Sequence, residues 1–133
     1  MAVLTEDRNT PRRTGDLLSL PAAAAKKFYA GAIVARDAAG NATPGATATD
    51  ILGAGRCKAQ VDNSAGAAGA LNVEIEKGVF RVANSATDPV VVADIGNDCY
   101  IVDDQTVSHT DTNQSVAGKV FDVDAQGVWV KFE

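Results

Sequence analysis

The stretch that most constrains this chain is Val116–Glu133, VAGKVFDVDAQGVWVKFE. Val128, Val130 and Phe132 alternate there with Trp129, Lys131 and Glu133, a period of two that a strand sorts onto two faces. Lys119, Phe121 and Val123 alternate likewise with Val120, Asp122 and Asp124. Between the runs lies Asp124-Ala125-Gln126-Gly127. Asp suits the first position of a type I turn, and Gly accepts the positive φ that closes such a loop. The pattern predicts a C-terminal β-hairpin. Aromatic residues are only 5% of the chain, so Trp129 or its neighbour Phe121 is expected to be buried as a packing anchor, within the domain or between subunits.

The same period recurs upstream. Leu71, Val73 and Ile75 are predicted to face inward and Asn72, Glu74 and Glu76 outward, with a second strand over Val79–Val82 after a break at Lys77-Gly78. Arg56, Lys58 and Gln60 alternate with Cys57, Ala59 and Val61, which puts Cys57 on a buried face. Pro21–Lys27 has helical propensity. The Ile33-Val34 pair favours a strand, and the segment is read as strands over Lys26–Ala30 and Ala32–Arg36 kinked at Gly31. Val90–Ile95 and Cys99–Val102 are expected as short strands. Asp37–Asn41 is a turn, Asn41–Asp50 a surface loop, Asp62–Gly69 a flexible loop, and Thr106–Ser115 a long exposed loop or edge. Strand follows turn at short spacing, so the fold class is all-β, a small β-barrel or β-sandwich.

The chain's 133 residues suit one domain, read as residues 16–133. Much of its 46% apolar fraction is alanine, so the core is thin and contacts between subunits or with partners are expected to supply missing burial. Residues 1–15 (MAVLTEDRNTPRRTG) are polar and lack periodicity. They form an extended N-terminal arm, either a disordered terminus or one that orders on a partner. Arg8, Arg12 and Arg13 there would suit an acidic protein surface, and with Trp129 they are the candidate partner-binding residues. A net charge of −5 argues against a nucleic-acid partner. No apolar run is long enough for a signal peptide or a membrane span, so a soluble chain made in the cytosol is expected, with no membrane partner.

No catalytic constellation is evident, and the chain is expected not to be an enzyme. His109, the only histidine, lies in a Ser/Thr/Asp-rich segment and reads as a solvated loop residue. Asp94, Asp98, Asp103, Asp104 and Asp111 show no EF-hand spacing, so no metal is expected. Gly118-Lys119 is followed by valine rather than Ser or Thr, and Gly53-Ala54-Gly55 has no third glycine at the dinucleotide spacing, so no cofactor is expected. Cys57 and Cys99 have no CxxC partner and read as buried free thiols, with a disulfide as the alternative.

An ordered set of segments resembles a known family. It comprises Ala30–Ala35, Gly40–Gly45, Val61–Ser64, Gly78–Phe80, Cys99–Val107, and Ala117–Val120 ahead of Gly127–Val130. Over roughly residues 16–133 the chain resembles the capsid cement, or decoration, proteins of tailed bacteriophages, in particular those of Mu-like transposable phages. The resemblance implies a minor capsid protein on the outer face of an icosahedral virion, assembled in the host bacterial cytoplasm. Such a protein would be a homotrimer that clamps neighbouring subunits of the major capsid protein. A rival expectation is a virion-surface receptor- or glycan-binding β module that uses Thr106–Ser115.

Overall fold

A computed structural model describes residues 2–133 and carries twelve strands and one short 3-10 turn. The C-terminal hairpin forms as expected. Strand β11 (Val116–Asp124) pairs antiparallel with β12 (Gly127–Phe132), and Asp124 Oδ1 accepts the Gln126 and Gly127 N–H groups at 2.8 and 3.0 Å to shape the turn. Val128, Val130 and Phe132 are buried, as the alternation requires.

The hairpin supplies two strands of a closed five-stranded barrel. Its other strands are β8 (Gly78–Asn84), β9 (Asp98–Ile101) and β10 (Thr106–Ser108), in the order β10-β8-β12-β11-β9. Closure pairs β10 with both β8 and β9, which leaves no free barrel edge. A second sheet runs β1-β7-β5-β3-β4, from β1 (Leu17–Pro21), β7 (Asn72–Glu76), β5 (Leu52–Cys57), β3 (Ile33–Arg36) and β4 (Ala42–Pro44). A two-stranded ribbon joins β2 (Lys26–Phe28) to β6 (Val61–Asn63).

Strand β3 links the two cores. Ile33 and Ala35 belong to the barrel cluster with Ile101, Val120, Val128, Val130 and Phe132, whereas Val34 belongs to the sheet cluster with Phe28, Cys57, Val73 and Ile75. Both faces of β3 are covered, which is why three consecutive residues are buried. Gly53 lets β5 approach β11: a Cβ there would overlap the Ala117 backbone. Gly31 has φ +90° and makes the expected kink between β2 and β3.

Several expectations need correction. Pro21–Lys27 is not helical. Pro21 ends β1, Ala22 N–H donates to Leu71 O, and Ala25 sits at φ +58°, so tertiary pairing overrides alanine's propensity. Asn41–Asp50 is not wholly loop, because Ala42–Pro44 pairs with β3. Asp62 and Asn63 close β6, and the Asn63 amide is buried, donating to Ala23 O and Ala67 O. Leu71 is exposed rather than inward, since β7 begins only at Asn72.

Val90–Ile95 is not a strand. Val90 is buried, but Val92–Asp94 coils into the 3-10 turn. Thr106–Ser115 is only partly an exposed loop. Its first three residues are β10, and Val107, Ser108 and Ser115 are buried. Gln114 Nε2 bridges Ile101 O and Ser108 Oγ, and Ser115 Oγ donates to Ala48 O.

Candidate protein-binding surface

The 3-10 turn is closed by one carboxylate. Asp94 is buried, and its Oδ2 accepts the Val91 N–H at 2.9 Å and faces His109 Nδ1 at 2.8 Å. The Val91 N–H is the main reason why the Asp94 carboxyl titrates below its usual range, with the His109 contact acting in the same direction. A coiled segment stabilised in this way cannot tuck its apolar side chains into a ladder. Val91, Val92 and Ile95 point to solvent instead.

The turn is tied to the barrel beside Phe121. Gly96 N–H donates to Val120 O, and Val120 N–H donates to Asn97 O, both at 2.9 Å. Ile95–Asn97 therefore runs alongside Lys119–Phe121, and Phe121 is 58% exposed. Val91, Val92, Ile95 and Phe121 are thus four exposed apolar residues on two adjacent segments on the outside of the barrel. Large contiguous patches of this kind mark interaction sites more often than single exposed residues do.

The flank is polar but internally paired. Lys119 Nζ meets Asp98 Oδ1 at 2.7 Å, which raises the lysine pKa. Trp129 is half-buried on the barrel's outer face. Its indole N–H donates to Asp124 Oδ2 at 2.9 Å, and the Arg81 guanidinium lies 5.7 Å from its ring centroid. The indole contact is the largest cause of the lowered Asp124 pKa.

The expectation that Trp129 or Phe121 is a buried anchor is not met within the chain. Phe121 is exposed and Trp129 only half-covered, because both project from the barrel's outer side. The buried aromatics are Phe28 and Phe132. Nor is His109 simply solvated: its side chain is half-exposed but bonded to Asp94, and its N–H donates to Asp88 O.

The structure does not gather the four candidate partner-binding residues. Arg8, Arg12 and Arg13 are exposed in residues 2–16, which form no strand or helix. Arg13 lies beside Leu17, Leu18, Ser19, Lys58 and Glu74 on the open sheet, and Trp129 lies on the barrel. Sequence reasoning missed the apolar surface. The available signal was Asp94 inside an otherwise apolar run, which a buried strand does not tolerate.

The two thiols are shielded from solvent. Cys57 and Cys99 are free and buried, and burial pushes the Cys99 thiol up to about 12 and raises that of Cys57. Among the described residues, no group of three or more His, Cys, Asp or Glu side chains is gathered for a metal ion. No described helix is long and apolar enough to cross a membrane. No family model, no curated protein and no solved structure matches this chain.

Proposed function

We propose that this chain is a structural virion protein. It binds the outer surface of an icosahedral phage capsid as a homotrimer and clamps neighbouring major capsid subunits. The observation that carries this reading is the exposed apolar surface of Val91, Val92, Ile95 and Phe121 on a small all-β body. Such a surface suits coverage by protein in a lattice, by a capsid subunit or a neighbouring copy. The exposed arm with its arginines offers a second contact element, and the ordered residue segments resembling cement proteins point the same way.

The mechanism is mass action rather than catalysis. A protein that binds only the assembled lattice stabilises it by its binding free energy. Several modest contacts per trimer reinforce one another through effective concentration. The test is co-sedimentation of the purified protein with undecorated shells of its own phage, followed by a thermal melt of the pelleted shells. Saturable pelleting and a raised melting temperature are expected. A protein left in the supernatant at saturating concentration would overturn the reading.

A further inference from the structure

We propose that the apolar surface of Val91, Val92, Ile95 and Phe121 receives Val3 and Leu4 from the arm of a second copy of this chain. The proposal rests on the reading above that the chain self-associates, and it names the contact.

Both halves of the contact are exposed on one chain. Val3 is 87% and Leu4 71% exposed, against 65% for Val92 and 58% for Phe121. Each half lacks what the other offers. Val3 and Leu4 are apolar residues on a segment with no strand or helix to pack against, and the barrel surface is apolar with nothing over it.

Charge runs the same way. The arm segment that follows carries Glu6 and Asp7 and then Arg8, Arg12 and Arg13, with no acidic residue from Arg8 to Gly15. Among the described residues, no ion pair uses any of the three. The barrel segment between Arg81 and Lys119 carries Asp88, Asp103, Asp104 and Asp111, none of them in an ion pair, beside Asp94 and Asp98, which are held by His109 and Lys119. An arm seated by Val3 and Leu4 lays Arg8 and Arg12 towards this acidic half of the barrel, while Arg13 stays on its own open sheet, and such complementarity fixes orientation as well as rate.

Reach is sufficient. Asp16 O accepts the Lys77 N–H at 2.9 Å, which fixes the root of the arm at the end of the open sheet. Extended, Ala2–Gly15 spans about 45 Å, enough to cross onto a neighbour. In a closed ring each copy gives one arm and receives one, so no apolar surface stays uncovered.

The test uses full-length protein without shells. Leu4→Cys and Phe121→Cys variants are mixed under mild oxidation, with Leu4→Cys plus Leu71→Cys as the control pair, since Leu71 is exposed on the sheet. The buried native thiols stay silent. We expect the first pair to give a mixed disulfide in about tenfold higher yield than the control, as an anchored contact should, and high salt to lower that yield.

Ile95→Cys replaces Phe121→Cys in a repeat, so that one misfolded variant cannot decide the outcome. Yields equal to the control would overturn the proposal. So would a double variant, Leu4→Cys with Phe121→Cys, that closes within one chain faster than the mixture cross-links. Because no shell is present, failure here leaves shell co-sedimentation as a separate result.

Discussion

Phe121 and Asp122 are adjacent in the chain, yet both face away from the barrel core. Val120 opposes Val130 and Asp122 opposes Trp129, so Phe121 is an extra residue inserted between two rungs of the β11–β12 ladder. This bulge lets Val120 and Val123 both turn inward although they stand three positions apart. Strict alternation would have turned Asp122 into the core and Val123 out. The bulge avoids a buried unpaired carboxylate and leaves an aromatic ring in solvent.

The two phenylalanines of the hairpin should therefore behave oppositely. Phe132 is 3% exposed, and Phe132→Ala is expected to cost about 3–5 kcal/mol. Phe121→Ala should change stability by no more than about 0.5 kcal/mol. Urea unfolding of both variants checks this. Equal losses would mean that Phe121 is covered in the isolated protein.

Asp94 should make the barrel sensitive to acid. Its folded pKa is depressed, so its contribution to stability is present above the unfolded pKa of about 3.9 and is lost as pH falls through the folded value. Melting temperatures of wild type and Asp94→Asn should differ at pH 6 and converge in strong acid. A gap that widened on acidification would reverse the sign and remove Asp94 as the closing group of the turn.

Much of the fold could be read from periodicity, because β7 of the open sheet and β8, β9 and β12 of the barrel carry clean patterns between turn residues. The 3-10 turn could not. Val90–Ile95 has the composition of a buried strand, and only the Asp94 bond to the Val91 N–H, a local contact with no periodic signature, coils it. The β10 segment was hidden for the opposite reason. Thr106 and Ser108 look solvated, but Ser108 is buried within a side-chain network through Gln114. The apolar surface depends on both features and on a bulge, so no single stretch of sequence displays it. The arm's arginines were legible as exposed, but nothing in the sequence told what faces them.

Cys57 and Cys99 should resist thiol reagents in the native state. Both are 0% exposed, and burial raises both thiol pKa values, that of Cys99 to about 12. Titration with a colorimetric disulfide reagent at pH 8 should give a slow reaction limited by unfolding, and a rapid one in guanidinium. Fast native labelling of Cys99 would show that the β9–β11 seam opens readily.

Gly53 should be intolerant of substitution. A Cβ at that position would overlap the Ala117 carbonyl, which is backbone and cannot rotate aside. Gly53→Ala is expected to cost about 1–3 kcal/mol through displacement of β5 from β11. The exposed Gly15, which has nothing within 4 Å of such a Cβ, supplies the control. Equal unfolding midpoints for Gly53→Ala and Gly15→Ala would show that the sheet and barrel are not held at this contact.

Stoichiometry gives the broadest test. A chain with 5% aromatic residues and an uncovered apolar surface has limited burial alone, and closed symmetric association is the common remedy. On the proposed reading, a trimer would fit both the three-fold positions of an icosahedral shell and an arm passed from each copy to the next. Native mass spectrometry of the full chain should give trimers whose fraction rises with concentration. Deleting residues 1–15 should shift the distribution to monomers, and at dilutions where both forms are monomeric the unfolding midpoint should not move, because the arm belongs to neither core cluster. Serine at Ile95 should weaken the trimer in the same direction. A deletion variant that remained trimeric at every concentration would place the self-contact on the body of the fold instead of on the arm.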